Sequence, residues 1–225
     1  MKFLAIDTST EYLSLGISEE REILFARKIL LEKKHSADLL PILGETLLAL
    51  GLTIQQMDCF IVGLGPGSFT GLRVGISMVK AMALGLGKPV VGVPTLEALA
   101  FAVPEKGLPI VPLIDAKRQK VYAALFERED GILKKRRRER VVPPEEFLRT
   151  LKKKTLFVGG GAALYRQAIE KALGKKALFT DASYDIPDPA ALVALGTGRF
   201  MKKELEDPYT LVPLYIYPKD CMIKK

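Results

Sequence analysis

The chain has 225 residues, of which 48% are hydrophobic and 27% charged, and its 34 Lys+Arg against 26 Asp+Glu give a net charge of +8. This composition is globular and excludes a disordered chain. The length allows one large domain or two small ones. Two cysteines, Cys59 and Cys221, exclude a disulfide framework and fit a reducing compartment.

The single histidine and the N-terminal residues restrict the kinds of active site and targeting segment that the chain can have. The single histidine, His35, excludes any metal site built on two histidines, and a catalytic triad could use no other histidine. The apolar stretch of MKFLAIDTST is too short for a signal peptide and meets Asp7 at once. No run of about 18 apolar residues occurs, so we expect no membrane partner.

The first half of the chain predicts the element order βββαβαβα. Three adjacent apolar runs joined by short turns are typical of an antiparallel meander, with strands over 2–7, 13–17 and 22–30. A leucine-rich helix begins near His35 and ends at Gly51. The elements predicted after it are a strand over 58–63, a helix over 68–85, a strand over 90–93 and a helix opened by Pro94.

The second half repeats this coarse order after a linker over 104–109. Its predicted strands are 110–115, 120–127, 132–141, 155–158 and 177–180, and its helices are 143–152, 161–173 and 189–206. No residue-level repeat accompanies the shared order, so the duplication is topological. We therefore expect a first lobe of residues 1–103 completed by the helix 189–206, a second, reduced lobe of 104–188 and a tail of 207–225.

Three turns that follow strands are candidate phosphate sites. Asp7 precedes three hydroxyl residues and could hold a metal-bound phosphate, or it could only satisfy turn amides. The loop Gly63-Leu64-Gly65-Pro66-Gly67-Ser68 opens a helix, where amides attract anions, but it fits neither a Walker loop nor GxGxxG and could serve only close packing. The loop Gly159-Gly160-Gly161 could lie flat against an adenine or a phosphate, or could be only a turn.

Residues 134–140 carry six basic side chains in seven positions. Such a run could follow a nucleic-acid backbone. A charged face on an exposed or edge strand explains it equally well.

Helical spacing gives the first helix two apolar faces, whereas a surface helix needs one. One face, centred on Leu39, predicts the core. In the second helix, Gly71 and Gly75 are four residues apart, which would let a neighbouring helix approach closely. Each helix could be enclosed within its own domain, but a helix-helix interface with another chain is favoured. The predicted partner-binding residues are Leu40, Gly44, Leu47, Leu48, Gly71, Arg73 and Gly75.

Four segments of the chain are similar to the TsaB (YeaZ) family. They are Leu4-Ala5-Ile6-Asp7-Thr8-Ser9-Thr10, His35-Ser36-Ala37-Asp38-Leu39-Leu40-Pro41, Gly65-Pro66-Gly67-Ser68-Phe69-Thr70-Gly71-Leu72-Arg73-Val74-Gly75 and Gly92-Val93-Pro94-Thr95-Leu96-Glu97. The resemblance runs over most of residues 1–125. Beyond Lys134 it is mainly one of layout.

This resemblance implies an α/β fold of the actin/Hsp70/sugar-kinase (ASKHA) class with two lobes, and a cytoplasmic role. It implies a non-catalytic subunit that pairs with its catalytic paralogue TsaD and works with the ATPase TsaE. That system transfers threonylcarbamoyl to N6 of adenosine 37 in tRNAs that read codons starting with A. In the family the two helices of the first lobe form the pairing surface, for TsaD and for a homodimer when the subunit is alone.

Departures from related active sites imply that the chain has no catalytic residues. The paralogue carries a His-x-x-x-His metal pair, and the matching positions here are Thr95 and Leu99, which bind no metal. Bulky Lys117 and Arg118 stand where kinases of this fold use small turns, and Asp7 lacks the usual following glycine. No cofactor is expected to bind tightly, and ATP or ADP only within the complex. The weak candidate contacts are Asp7, Gly159 and Gly160.

Two other functions compete with the scaffold hypothesis. A small-molecule kinase of the same fold, with its own ATP site, would have to transfer or hydrolyse ATP alone. A metallopeptidase is nearly excluded by the single histidine. Contact with tRNA is expected to be indirect or weak.

Overall fold

A computed structural model describes residues 1–31, 35–104 and 107–216, with side chains in the first helix described from Asp38 onward. The chain divides into two compact units. The first unit comprises Met1–Ala98 and Pro187–Leu214, and the second comprises Leu99–Ile186 with the described residues after Leu214.

The first unit is built on a five-stranded sheet in the order β3-β2-β1-β4-β5. Its strands are β1 Lys2–Asp7, β2 Tyr12–Glu19, β3 Glu22–Leu30, β4 Cys59–Gly65 and β5 Val90–Pro94. Its helices are α1 His35–Ala49, α2 Phe69–Leu86 and the first half of α3 Thr95–Ala102, and α7 Pro189–Met201 returns to it. Strand β1 pairs antiparallel with β2 and parallel with β4, so the predicted meander and the order βββαβαβα are confirmed.

Strand β1 is buried on both faces of the sheet, which explains its continuous apolar run. Successive side chains of a strand point to opposite faces. Leu4 and Ile6 pack in the core that holds α1 and α2, whereas Phe3 and Ala5 pack in a second core that includes α7. The helix α7 thus closes the far face of the sheet.

The second unit repeats the topology, with the order β10-β9-β6-β7-β8 matching the first sheet read from its other end. Its strands are β6 Ile110–Asp115, β7 Val121–Glu129, β8 Ile132–Val142, β9 Thr155–Val158 and β10 Ala177–Phe179. Its short helices are α4 Pro144–Leu148, α5 Gly160–Leu164 and α6 Arg166–Leu173. The predicted duplication of order is confirmed.

Three helices differ from the sequence prediction. The helix expected over 143–152 ends at Leu148, because the chain turns at Arg149 and Thr150. The helix expected over 161–173 is interrupted at Tyr165, whose φ of −101° and ψ of 18° lie outside the helical region. The final helix ends at Met201 rather than at 206, because the chain turns through a left-handed Lys203. Glu206 then donates its backbone N–H to the carbonyl of Val90, which ties the segment after α7 to the first sheet.

One helix of the described chain, α2, is long and apolar enough to cross a membrane by length and composition. Its inner face is buried in the core of the first unit. The residues of that face include Leu72, Ile76 and Val79.

Candidate functional site

The outer face of α1 exposes leucines on both sides of a glycine. Leu40 is 61% exposed and Leu48 80% exposed, whereas Leu39 is 1% exposed and lies in the core. Leu40, Gly44 and Leu48 are spaced four residues apart, so they share one face of the helix. A Cβ atom at Gly44 would meet nothing within 4 Å, so this glycine leaves an open hollow. The helix therefore has the two apolar faces expected from the sequence.

A groove of about 350 Å³ runs beside this face, between α1, the residues that follow it and α2. Its lining is almost entirely apolar and consists of Leu40, Leu43, Gly44, Leu47, Leu48, Leu52, Thr53, Ile54 and Met82. Leu47 belongs to the core cluster and is 6% exposed, so its prediction as a surface contact needs correction: it forms the floor of the groove. Leu52, Ile54 and Met82 were missed in the sequence, because only folding brings them beside α1.

The glycine pair in α2 does not receive a neighbouring helix, and that prediction is wrong. A Cβ atom at Gly71 would overlap the carbonyl oxygen of Thr8, and one at Gly75 would overlap the Thr8 hydroxyl. The Thr8 hydroxyl donates a 2.8 Å hydrogen bond to the carbonyl of Gly71. Both glycines are buried and serve the close approach of α2 to the turn after β1.

The start of α2 presents an exposed aromatic–cation pair. The guanidinium of Arg73 lies 3.7 Å from the centroid of the Phe69 ring, as in a cation–π interaction. Phe69 is more than half exposed and Arg73 is exposed. Arg73 therefore stays a candidate contact residue, and Phe69 joins it from outside the predicted set. Aromatic residues and arginine are enriched in the cores of protein interfaces.

Asp7 is enclosed and does not face a phosphate pocket. It is 1% exposed, its Oδ1 accepts the backbone N–H of Ser9 at 2.7 Å, and its Oδ2 accepts the hydroxyl of Thr95 at 2.7 Å. The Thr95 oxygen in turn accepts the N–H of Gly65 at 3.1 Å. Gly63 leaves room for the carboxylate, since a Cβ atom there would overlap it. These contacts fit the alternative in which the Asp7 carboxylate only accepts hydrogen bonds from nearby protein groups. They do not support Asp7 as a cofactor-binding residue.

We expect the free energy of unfolding of the Asp7→Asn variant to rise relative to that of the wild type as the pH rises. Burial raises the pKa of Asp7 above 3.8, and hydrogen bonds from Ser9 and Thr95 offset this only in part. The folded state therefore holds the proton more tightly than the unfolded state, so the wild type loses stability as pH rises from 3.8 towards the raised pKa. The asparagine does not titrate and escapes this loss.

Urea unfolding of both proteins at about pH 4 and about pH 7 measures the effect. The free energy of unfolding of the variant relative to wild type should be larger at the higher pH. A constant difference would show that folding does not shift the pKa of Asp7, and a falling difference would show that the folded state stabilises the anion; either result contradicts the prediction.

The glycines around residue 65 serve packing. A Cβ atom at Gly67 would overlap the carbonyl oxygen of Ser9, which also accepts the N–H of Ser68 at 2.7 Å. The Ser68 hydroxyl caps α2 by accepting the N–H of Gly71. This loop is the tight strand-to-helix turn that the sequence left as its alternative.

The second glycine loop packs on β6. Gly159 has a φ of +94°, and a Cβ atom there would lie 2.6 Å from the carbonyl oxygen of Leu113. At Gly161 the corresponding distance to the carbonyl carbon of Leu113 is 2.7 Å. Gly160 is exposed, and its N–H already donates to the carbonyl of Asp185 at 3.0 Å. Close packing therefore explains Gly159 and Gly161 without a nucleotide, whereas a Cβ atom at Gly160 would make only an ordinary contact with Asp185.

The basic run lies on β8, the edge strand of the second sheet. Most of its cations contact acidic neighbours: Lys134 pairs with Glu129, Lys135 with Glu139, Arg136 with Glu127 and Glu129, and Arg140 with Glu146. Arg137 donates to Thr150. Salt-bridged side chains on an edge strand are the second of the two interpretations offered by the sequence, and they leave little positive charge for RNA.

No group of three metal-ligating side chains occurs among the described residues. Thr95 and Leu99 are both buried, and the Thr95 hydroxyl donates a hydrogen bond to the Asp7 carboxylate. Burial, and to a lesser extent Asp58, raises the pKa of Cys59 to about 12, so its thiol is a poor nucleophile. The side chains of His35 and Cys221 lie outside the described part of the chain.

The turn after β6 is compact and polar. Asp115 accepts the backbone N–H of Lys117 at 2.9 Å and pairs with the Lys117 ammonium at 2.9 Å. Residues Lys117, Arg118 and Gln119 all have left-handed backbone angles. The carboxylate that follows β6 is thus engaged by its own turn.

Comparison with known proteins identifies relatives over nearly the whole chain. The family model of TsaD, tRNA N6-adenosine threonylcarbamoyltransferase, matches residues 29–225. The tRNA threonylcarbamoyladenosine biosynthesis protein TsaB of Bacillus subtilis (strain 168) is 33% identical over 219 residues, which are 96% of this chain and 94% of that protein. The Escherichia coli (strain K12) protein of the same name is 34% identical over 132 residues, 58% of this chain and 57% of that one.

Solved structures agree with the sequence relatives. YeaZ from Pseudomonas aeruginosa superposes with a TM-score of 0.83 at 28% identity, covering 96% of this chain and 99% of that one. The ethanolamine utilization protein EutJ from Carboxydothermus hydrogenoformans, at 12% identity, superposes with a TM-score of 0.51 over 87% of this chain and 90% of that one, which supports the fold alone. The expected actin/sugar-kinase-like fold is therefore confirmed, and the chain belongs to the TsaB (YeaZ) family of tRNA threonylcarbamoyladenosine biosynthesis proteins.

Proposed function

We propose that the chain is a non-catalytic scaffold subunit of the tRNA threonylcarbamoyladenosine system. It pairs through the outer face of α1 and the start of α2 with the catalytic paralogue TsaD, and it acts together with TsaE. In the cytoplasm this assembly transfers threonylcarbamoyl to N6 of adenosine in tRNA. The observation that carries the proposal is the exposed apolar face of α1 beside an open apolar groove.

The composition of this face supports a protein partner. Leu40, Leu48 and Phe69 are large apolar side chains that water contacts, and contiguous exposed apolar surface marks interaction sites. The hollow at Gly44 offers room for a side chain of the partner. Removing these leucines from water supplies about 25 cal/mol per Å² of apolar surface, the main driving force of association.

A paralogous partner fits this face because both chains share one fold. When TsaD is absent, two copies of the chain present the same face to each other and form a homodimer. A twofold pair of this kind is self-complementary, as most soluble homodimers are. The two assemblies therefore compete for one surface, and pairing with TsaD replaces the homodimer.

The interior around Asp7 supports the non-catalytic role. The Thr95 hydroxyl, at a position where the paralogue is expected to place a metal-binding histidine, is spent on the Asp7 carboxylate. Asp7 itself is enclosed by Ser9, Thr95 and the space left by Gly63. We propose that nucleotide does not bind tightly to the chain alone, and that ATP or ADP is held only within the complex. The kinase alternative would need this aspartate open to a phosphate, and no contact described above favours it.

Reconstitution tests the function directly. We expect the purified chain alone to transfer no threonylcarbamoyl group, and to hold no iron or zinc by elemental analysis. We expect modification of tRNA by TsaD and TsaE to fall to background when the chain is omitted and to return when it is added. A modification rate that is the same with and without the chain would end the scaffold proposal, and transfer by the chain alone would make it an enzyme.

A further inference from the structure

The positive charge of the chain is concentrated in one unit. Residues 99–186 contain 19 Lys and Arg against 11 Asp and Glu, a balance of +8, which equals the net charge of the whole sequence. The remaining 15 basic and 15 acidic residues cancel. A charge imbalance confined to one unit points to an anionic partner for that unit.

The basic run on β8 accounts for only a small part of this excess, because acidic neighbours pair with four of its six cations. Glu127 and Glu129 from β7 contact Arg136, and Glu146 from α4 accepts from Arg140 at 2.7 Å. Four of the six cations in that run have a salt bridge, whereas Arg137 donates to Thr150 and Arg138 has no salt bridge within the described residues. Most of the excess positive charge of the unit therefore lies elsewhere.

Part of this charge lies around a groove of about 600 Å³ between α4 and α6. Arg149, Lys171 and Lys176 line the groove over a floor that includes Leu148 and Leu173. Two more lysines flank it: Lys152, whose carbonyl oxygen accepts from the Lys176 ammonium at 3.2 Å, and Lys175, which precedes Lys176. We call Arg149, Lys152, Lys171, Lys175 and Lys176 the α4–α6 patch.

Few carboxylates lie close enough to neutralise the cations of this patch. Glu145 lines the groove, whereas Glu170 is paired with Arg166 at 2.9 Å. Within the described chain no member of the patch has a salt bridge to a carboxylate. A helix C-terminus favours cations, which accounts for Lys171 on α6 and for Arg149 at the end of α4, but it does not account for Lys152.

We infer that the α4–α6 patch binds the phosphate backbone of RNA. Five exposed cations around one groove supply the positive charge that a phosphodiester chain attracts, and their flexible side chains suit contacts that fix position without reading bases. The choice of tRNA among polyanions rests on the proposed function. The patch lies on the second unit and the apolar pairing face on the first, so the two contacts use different residues.

The test compares two variants of the full chain with the same loss of charge. In the patch variant, Arg149→Gln, Lys171→Gln and Lys175→Gln remove three cations. In the control variant, Arg27→Gln, Lys202→Gln and Lys203→Gln remove three exposed cations from the first unit. Binding to a fluorescently labelled tRNA transcript that reads a codon starting with A is measured by anisotropy at several salt concentrations.

We expect the patch variant to lose roughly tenfold or more in affinity at low salt, with a shallower dependence on salt because fewer counterions are released. The control variant should stay within about twofold of wild type. Equal losses in both variants would assign the effect to net charge, and unchanged binding in the patch variant would exclude the patch; either result overturns the inference. If the patch variant keeps its tRNA affinity but no longer elutes with TsaD, the patch is a protein interface and the inference is equally wrong.

These outcomes are separate from the scaffold proposal. That proposal fails when modification proceeds without the chain, whatever the tRNA affinity. The inference fails on binding alone, even when the chain is required for modification.

Discussion

Leu48→Glu is expected to abolish self-association and pairing with TsaD while leaving a folded monomer. Leu48 is 80% exposed, so in the monomer the carboxylate reaches water and costs little. In a helix-helix interface the same carboxylate is buried without a partner, which costs about 3 kcal/mol or more. A penalty of this size weakens association by roughly a hundredfold. Light scattering measures the mass of the assembly, and circular dichroism reports the fold.

Two further leucines provide matched controls. Leu39→Glu places the charge on the buried face of the same helix and should unfold the first unit, since Leu39 is enclosed in its core. Leu164→Glu places it on an exposed leucine of the second unit, which is not among the residues of the pairing face, and should change neither mass nor fold. If Leu48→Glu stays folded and dimeric, pairing uses another surface; if it unfolds, the outer face of α1 is internal to the protein.

Gly71→Ala is expected to destabilise the chain strongly, although alanine is the better helix former. The new methyl group would overlap the backbone carbonyl of Thr8, below the 3.0 Å that Cβ contacts essentially never undercut. A backbone group of a buried strand end cannot swing aside as a side chain does. Overpacking of this kind costs about 1–3 kcal/mol or more, which exceeds the helix-propensity gain of about 1 kcal/mol.

Gly85→Ala in the same helix isolates the propensity term, because a Cβ atom there meets nothing within 4 Å. This variant should be as stable as wild type or more stable by up to about 1 kcal/mol. Urea unfolding of both variants measures the difference. Equal stability of Gly71→Ala and Gly85→Ala would mean that the turn after β1 yields, and the packing explanation of Gly71 would not hold.

Local patterns in the sequence were enough for the order of the elements. The continuous apolar run of Lys2–Asp7 predicts a strand, and the structure places a strand there, buried between two cores. The repeated order of three strands before a helix predicts two similar sheets, which both form. The second apolar face of α1 was visible in the spacing of Leu40, Gly44 and Leu48, because helical periodicity depends only on positions along the chain.

The structural role of Gly71 and Gly75, and of the cations on β8, depends on neighbours that are distant in sequence. A spacing of four fits a helix partner at Gly71 and Gly75, yet Thr8 from the end of β1 fills that place. Six basic residues on β8 predict a polyanion site as readily as a neutralised edge, and the acids of β7 and α4 decided the question.

The tertiary structure alone revealed the unneutralised patch. Arg149 lies in the segment after α4, and Lys171 and Lys175 lie at the end of α6, so no window of the sequence contains them together. The same holds for Thr95 and Asp7, 88 residues apart, whose hydrogen bond closes the site. Periodicity records which side of an element is apolar, whereas packing between elements determines which polar groups meet and which remain exposed to a partner.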